Sequence, residues 1–309
     1  MSSPRLLSLD ALRRLDRGTT VIWATPSVRS QVEGTLGLAA PRPLTALPPE
    51  VRTVIAVGGG AFIDDVKLWR LEAAPCLELI AIPSVWGSGA EASPVAVRNR
   101  GGKKVIRMDP KLLPDARAIL PGLAATLPLA RAKLGCGDCW AHALEGFLSP
   151  LATDALRSEL AALMNDMLKA PIANAPVWFE LSAAACAGQA RSSVGLVHGI
   201  AHTLEGPMRL QNPDAEWGHA RICSIFLWPV MCFNQRTSTH WQNLSASHGL
   251  NGAQVMEVLR SFFDRSGYQE ALPALRAYWM AVLRDPCSRT NSTLVRPASL
   301  QFFERGASQ

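Results

Sequence analysis

Apolar residues form short β-branched runs in the first part of the chain and recur at helical spacing in the second. Three runs bounded by polar or turn-forming residues, at residues 20–24, 53–57 and 77–82, predict buried parallel strands. From about residue 127 onward the apolar positions follow a helical period, without the alternation typical of strands. The pattern predicts an α/β domain over residues 1–126 and an all-helical domain over residues 127–309, with a shared cleft.

A glycine triplet, residues 58–60, follows the second predicted strand and precedes a helical pattern. Glycine lets a ligand approach the backbone closely, and the free amides at the start of a helix favour an anion such as a diphosphate. A tight turn without any ligand would explain the same three residues. The triplet alone is therefore weak evidence for a phosphate site.

A second polar loop, residues 84–93, follows the third predicted strand and contains two glycines and three serines. Ligands of open α/β sheets bind at the carboxyl ends of the strands. Two candidate anion-binding loops thus follow successive strands. A turn at residues 101–104 and another short strand come next.

The segment at residues 135–145 carries candidate metal chemistry. In a helix, Asp138 and His142 lie four residues apart on one face, where a carboxylate and an imidazole can both reach one divalent ion. His198 and His202 form a second pair with the same spacing. An isolated histidine is more often a packed core residue, but the two spaced pairs together favour a metal site.

Composition narrows the function further. The net charge of +6 is distributed along the chain, without a block of consecutive basic residues. The chain has only two tyrosines, and aromatic residues do not alternate with basic ones, so we expect no nucleic-acid partner. Without a run of eighteen apolar residues or an apolar signal core, we expect a cytoplasmic protein with no membrane partner. Seven scattered cysteines indicate reduced thiols, and the single C-x-x-C of Cys136 and Cys139 is a weak zinc or redox candidate.

Four segments in order, residues 58–67, 82–93, 135–147 and 195–205, resemble the iron-containing alcohol dehydrogenase family, whose relatives include the dehydroquinate synthases. The resemblance implies an α/β dinucleotide-binding domain against a helical domain, with the metal between them. It implies NAD or NADP as cofactor and Fe(II) as the ion, although zinc would suit the same ligand types. We also expect a homodimer.

The resemblance implies a set of cofactor-binding residues. The diphosphate turn corresponds to Gly59, Gly60 and Ala61, and the nicotinamide-side loop to Ser84, Gly87 and Ser88. Lys67 and Lys104 could complement phosphate charge. Thr25 falls near the position where NAD-preferring relatives carry an acidic residue, which reduces the repulsion of a 2′-phosphate.

The resemblance places Asp138, His142 and His198 at metal-ligand positions. The family's third histidine can be aligned in two ways, with His219 or with Trp217, and we prefer His219. His202, one turn after His198, is the candidate for relaying the hydroxyl proton, because imidazole titrates near neutrality. Glu145 is expected to support a ligand rather than bind the ion.

The chain also departs from the family. The segment before residue 58 is short and contains Pro41, Pro43, Pro48 and Pro49, and the helical part is trimmed. The leading hypothesis is a metal-dependent NAD(P) oxidoreductase that interconverts an alcohol and an aldehyde or ketone by hydride transfer, in a specialised biosynthetic pathway. The alternatives are oxidative decarboxylation of a β-hydroxy acid, such as a modified peptide terminus, and a degenerate binding subunit without activity. The substrate is expected to be a small alcohol or carbonyl compound, or a larger peptide-linked one.

Overall fold

The strands of the computed structural model lie in the first part of the chain. The model describes residues 3–37, 39, 47–100, 103–213 and 215–306, so Pro41, Pro43 and the glycines of the predicted turn at 101–104 lie outside the described residues. The strands are β1 (Arg5–Leu7), β2 (Thr20–Ala24), β3 (Thr53–Gly58), β4 (Glu78–Pro83), β5 (Val95–Arg100), β6 (Lys103–Met108) and β7 (Ala116–Ala118).

Helices cover most of the described residues after β7. Three helices connect the first four strands in turn: α1 (Leu9–Arg13), α2 (Arg29–Leu36) and α3 (Gly60–Ala73). The others are α4 (Pro121–Ala125), α5 (Leu129–Leu148), α6 (Asp154–Lys169), α7 (Val177–Gln189), α8 (Leu196–Gln211), α9 (His219–Thr237), α10 (His240–Ser247), α11 (Gly252–Phe262), α12 (Arg265–Val282), α13 (Pro286–Arg289) and α14 (Leu300–Glu304).

The main sheet is parallel throughout, with the strand order β1-β7-β4-β3-β2, and β5 and β6 form a separate antiparallel hairpin. The three predicted strands are present as β2, β3 and β4, within one residue at each end. The α/β half followed by a helical half confirms the predicted fold class. Where a domain boundary lies stays a prediction.

Parallel pairing brings the loops after β2, β3 and β4 to one edge of the sheet. Gly58 and Pro83 are register partners at the ends of β3 and β4, and the backbone N–H of Thr25 donates to the Val57 carbonyl at 3.0 Å. Ser84 N–H donates to the Gly58 carbonyl at 2.9 Å. The glycine triplet and the serine loop are therefore neighbours in space.

The helical half packs around α5, whose residues from Gly135 to Leu148 are all buried. Trp86, on the loop after β4, belongs to the same apolar core and donates its indole N–H to the Ala132 carbonyl at 2.9 Å. The loop after β4 is thus anchored on the helix that carries Asp138. None of the described helices combines the length and apolar character that crossing a membrane requires.

Candidate metal and cofactor site

Three of the predicted metal ligands converge. Asp138 on α5 places Oδ1 3.9 Å from His198 Nε2 on α8 and 3.8 Å from His219 Nε2 at the start of α9. Asp138 Oδ1 and His198 Nε2 are buried, and neither has a hydrogen-bond partner among the described residues. A buried acceptor without a partner is costly. A cation between these atoms would satisfy both, so the residues fit a divalent ion.

Glu145 fixes the orientation of His198. Its Oε2 accepts a hydrogen bond from His198 Nδ1 at 2.7 Å, and its Oε1 accepts the backbone N–H of Val197 at 2.7 Å. Because a carboxylate only accepts, the ring proton of His198 lies on Nδ1 and the lone pair of Nε2 faces Asp138. Glu145 therefore orients the His198 ring, and its support of a metal ligand stays a prediction.

His219, rather than Trp217, lies beside Asp138. Trp217 is buried away from the donor atoms, with its indole N–H on Glu270 at 3.2 Å and the Arg221 guanidinium 4.1 Å from its ring. His219 Nε2 faces Asp138. The side chain beside Asp138 is that of His219, and its role as a metal ligand stays a prediction.

Lys104 reaches the metal candidates instead of a phosphate position. Its Nζ lies 2.5 Å from Glu205 Oε2 and 3.1 Å from His219 Nδ1. An ammonium group only donates, so in this arrangement His219 Nδ1 accepts and Nε2 carries the ring proton. An ion on Nε2 requires that proton to leave. For the ring to stay neutral, Nδ1 must take up a proton in exchange, and Glu205 Oε2, 3.9 Å from Nδ1, is an acceptor for it.

His142 lies beside the same site and contacts the loop after β4. Its Nδ1 lies 3.1 Å from the Gly87 carbonyl and 4.0 Å from Asp138 Oδ1, and its ring centroid is 4.4 Å from that of His198. It is not one of the four residues whose donor atoms all lie within 4.8 Å of one another. A ligand role for His142 stays a prediction.

The fourth member of that group is Cys223, which the sequence analysis missed. Its Sγ lies 3.6 Å from His219 Nε2, one helical turn away on α9. The available signal was the four-residue spacing from His219, the same spacing that linked Asp138 to His142. The described donor set is Asp138, His198, His219 and Cys223.

His202 lies next to this group and contacts an acidic residue that the sequence analysis also missed. Its Nδ1 is 3.4 Å from Asp285 Oδ2, and its ring stacks on that of His219 with centroids 5.4 Å apart. Asp285 precedes α13 and also accepts the Cys287 N–H at 2.8 Å. The structure places His202 where Asp285 can orient its ring.

Burial controls the protonation of these imidazoles. Burial, reinforced by the nearby His198, lowers the pKa of His142 to about 4. Burial also lowers the pKa of His202, against the hydrogen bond to Asp285, which raises it. The pKa of His219 lies well below its usual value because of burial and of the Lys104 charge. Neutral rings are the form that binds metal.

The glycine turns are tightly packed at the sheet edge. A Cβ on Gly60 would lie 2.2 Å from Ser88 Oγ, and a Cβ on Gly58 would lie 2.8 Å from Thr25 Cγ2. Thr25, Gly60 and Ser88 therefore lie at one edge of the sheet, and their contact with a cofactor stays a prediction. Gly59 precedes α3, and the adjoining Ala61 is exposed.

Gly87 stands where no other residue would fit. Its φ is +120°, and a Cβ would lie 3.1 Å from Asp138 Oδ2 and 3.2 Å from the Gly135 carbonyl. The backbone N–H of Gly87 donates to Ser182 Oγ at 2.8 Å, and its carbonyl contacts His142. The loop after β4 thus touches the metal candidates directly.

Lys67 is enclosed by acceptors from the protein itself. Its side chain is fully buried, and its ammonium contacts the Asp64 carboxylate at 2.9 Å, the Ala90 carbonyl at 3.0 Å and the Val95 carbonyl. With these three acceptors around it, the ammonium links α3 to the segment before β5 and is not free for a cofactor phosphate in this arrangement.

Comparison with known proteins identifies similar sequences and folds. Residues 46–120 match the family model described as iron-containing alcohol dehydrogenase. The chain is similar to an alcohol dehydrogenase of Thermococcus barophilus, with 27% identity over 72% of this chain and 67% of the relative. It is also similar to the NAD-dependent methanol dehydrogenase of Bacillus methanolicus, with 27% identity over 58% of this chain and 52% of the relative.

The fold is similar to that of solved family structures. The maleylacetate reductase of Agrobacterium tumefaciens superimposes with a TM-score of 0.77 and 17% identity, over 99% of this chain and 96% of the other. In sequence, the chain spans between about half and two thirds of the length of the curated relatives named above. The family model, the curated relatives and the shared fold all make this chain similar to the iron-containing alcohol dehydrogenase family.

Proposed function

We propose that this protein is a metal-dependent NAD(P) oxidoreductase that interconverts an alcohol and an aldehyde or ketone by hydride transfer. The observation that carries the proposal is the pair of buried acceptors, Asp138 Oδ1 and His198 Nε2, which face each other at 3.9 Å with no partner among the described residues. A divalent ion there would act as a Lewis acid on the substrate oxygen, and the nicotinamide would exchange the hydride.

The chain's own residues hold and orient these groups. Asp138, His198 and His219 supply three donors, and His142 and Cys223 are the two candidates for a fourth. Fe(II) is the ion that the family name implies, and the same donors suit zinc. Glu145 keeps the lone pair of His198 turned toward the ion.

The dinucleotide is proposed to lie along the loops after β3 and β4, with Gly59, Gly60 and Ala61 at the diphosphate and Ser84, Gly87 and Ser88 at the nicotinamide side. The packing of Gly60 against Ser88 and of Gly87 against Asp138 supports this placement, because it brings both loops to the metal candidates. Thr25 carries no charge that would repel a 2′-phosphate, so both NAD and NADP are proposed.

His202 is proposed to move the hydroxyl proton. It lies beside His219, and its Nδ1 faces the Asp285 carboxylate. A carboxylate on Nδ1 favours a proton on that nitrogen and leaves Nε2 as the basic atom. The proposed substrate is a small alcohol or carbonyl compound. A homodimer and a biosynthetic pathway remain part of the proposal.

Metal analysis and nicotinamide fluorescence test the proposal directly. Protein purified without chelator is expected to contain a divalent ion and to bind NADH or NADPH. Asp138→Asn should lose the ion, whereas the exposed control Asp166→Asn should keep it. Protein that binds neither the ion nor the nucleotide would support the binding-subunit alternative instead. Turnover of a panel of alcohols and aldehydes by the loaded protein then defines the substrate.

A further inference from the structure

The segment that follows β2 carries a cation close to the proposed diphosphate turn. Residues 25–28 connect the carboxyl end of β2 to α2, whose first residue is Arg29. We propose that Arg29, together with the hydroxyls of Thr25 and Ser27, binds the 2′-phosphate of NADP, so that this chain binds NADP more tightly than NAD. This inference rests on the proposed function and selects between its two nicotinamide cofactors.

Thr25 fixes the start of this segment next to the glycine triplet. Its backbone N–H donates to the Val57 carbonyl at 3.0 Å, and its Cγ2 lies 2.8 Å from the position that a Cβ of Gly58 would take. In dinucleotide-binding sheets, an acidic residue at the end of a strand near the diphosphate turn binds the 2′-hydroxyl of NAD, and an arginine nearby accommodates the 2′-phosphate of NADP. The segment after β2 therefore lies where the adenosine ribose of the proposed nucleotide would be bound.

The charges in this segment favour a phosphate over a free hydroxyl. Residues 25–32 contain no acidic side chain that could accept the hydrogen bonds of the ribose hydroxyls. The N-cap residue of α2, Val28, makes no side-chain hydrogen bond to the first turn, which also lacks an acidic residue. The positive end of the helix dipole thus adds to the charge of Arg29, since no carboxylate in that turn neutralises it.

Arg29 has a nitrogen without a partner. Its side chain is half-buried, and its Nε is shielded from water with no hydrogen-bond acceptor, a combination that no other arginine of the described residues shows. The buried Arg70, by contrast, donates to the Asp115 carboxylate and to two backbone carbonyls. Enclosing a donor without an acceptor costs free energy. A phosphate would supply that acceptor and can take two guanidinium N–H groups at once.

Two hydroxyls add donors to the same short segment. Thr25 Oγ1 and Ser27 Oγ lie 3.4 Å apart, and Ser27 is exposed. The Val28 N–H donates to the Thr25 carbonyl at 3.1 Å, which closes a turn that carries both hydroxyls and leads directly into Arg29. A hydroxyl can donate to a phosphate oxygen as readily as to another hydroxyl. Five consecutive residues therefore offer one cation and two neutral donors to a dianionic group.

Nucleotide affinity reads out this site without turnover. The full chain, purified with its metal, is titrated with NADPH and with NADH and followed by nicotinamide fluorescence. The dissociation constant is expected to be about 10–100-fold lower for NADPH, the range that a charge-assisted hydrogen bond supplies. Adenosine 2′,5′-bisphosphate should also displace NADPH at lower concentration than adenosine 5′-monophosphate does, because the two compounds differ only in the 2′-phosphate.

Variants assign the preference to Arg29. Arg29→Met should lose it through weaker NADPH binding at unchanged NADH affinity, and Arg29→Lys should keep part of it, since lysine retains the charge without the planar fork. The exposed Arg17, before the amino end of β2, provides the matched control as Arg17→Met. Ser27→Asp should weaken NADPH binding by charge repulsion, whereas the neutral Ser27→Asn should not.

The outcomes separate this inference from the proposed function. Equal affinities for the two nucleotides in the wild type, tighter binding of NADH, or a preference that survives in Arg29→Met would overturn the 2′-phosphate role and leave the proposed hydride transfer in place. The wild-type comparison needs no variant. Failure of the wild type to bind either nucleotide would overturn both proposals.

Discussion

Glu145 and His198 form a carboxylate–imidazole pair, with Glu145 Oε2 accepting the Nδ1 proton of His198 at 2.7 Å. The same carboxylate accepts the N–H groups of Val197 at 2.7 Å and of His198 at 3.3 Å, in the first turn of α8. One side chain therefore fixes both the helix start and the ring that it carries. Partners of this kind stabilise metal sites as strongly as some ligands do.

Glu145→Gln is expected to weaken metal binding by about 10–100-fold, because an amide replaces the charged acceptor of the His198 proton. Competition with a chelator measures the dissociation constant. Glu159→Gln, at an exposed position paired with Arg191, is the matched control. An unchanged constant in Glu145→Gln would show that the ring needs no carboxylate to hold its orientation.

Lys104→Met is expected to strengthen metal binding by roughly tenfold. The substitution removes a positive charge beside His219 and frees Nδ1 to carry the ring proton, and both changes favour an ion on Nε2. Isothermal titration with Zn²⁺ measures the effect. The exposed Lys111→Met should bind as the wild type does, and weaker binding by Lys104→Met would mean that the lysine holds the site together.

The stability of the metal-free protein is expected to depend on pH through His142. Its pKa is lowered from 6.5 to about 4 by burial and by the nearby His198, so the unfolded chain binds the proton at higher pH than the folded protein does. The contribution of His142 to the free energy of unfolding is complete above about pH 6.5. As the pH falls toward 4, this free energy decreases by roughly 3 kcal/mol.

Urea unfolding of the metal-free protein across this pH range checks the expectation. His202 and His219 also have lowered pKa values, and they change the free energy of unfolding with the same sign. The pH dependence of the wild type therefore reports on more than one histidine. His142→Gln isolates one of them, and its free energy of unfolding should fall less steeply with decreasing pH. Parallel curves for the two proteins would contradict the assignment.

Asp285→Asn is expected to lower kcat by about tenfold while leaving the metal content unchanged, because an amide holds the His202 ring less firmly than a carboxylate does. Asparagine retains the ability to accept the Cys287 N–H, so α13 should stay in place. The pH profile of kcat/KM should shift as well. If His202→Ala and Asp285→Asn have additive effects, the two residues act independently and the pair is not a unit.

Local patterns in the chain were sufficient to predict the strands β2, β3 and β4 and the glycine turn after β3. The buried strands β3 and β4 consist almost wholly of apolar and β-branched residues, and the structure has them within one residue of the prediction. The short strand β7 was missed, because Ala116–Ala118 contains no β-branched residue and its polar member alternates with alanines. Its place in the sheet depends on pairing with β1 and β4, which are distant in sequence.

Residues whose role depends on distant contacts were harder to predict. Lys67 and Lys104 were assigned to phosphate because of their charge, but charge alone does not reveal a partner 23 or 115 positions away in the chain. Asp285 lies 83 residues after His202 in the chain, and only the packing of α13 against α8 brings the two together. Helical spacing indicated Asp138 and His198 as candidates, since their signal is local.

The contacts of Gly87 would couple nucleotide binding to metal binding. Its carbonyl contacts His142 Nδ1, its backbone N–H donates to Ser182 Oγ, and its α-carbon leaves no room for a methyl group beside Asp138. A nucleotide that shifts this residue would also shift the carboxylate and the imidazole that surround the ion, and an ion would shift the nucleotide loop in return. Linkage requires such effects to be equal in free energy. Whichever of the two arrives first would set the affinity for the second.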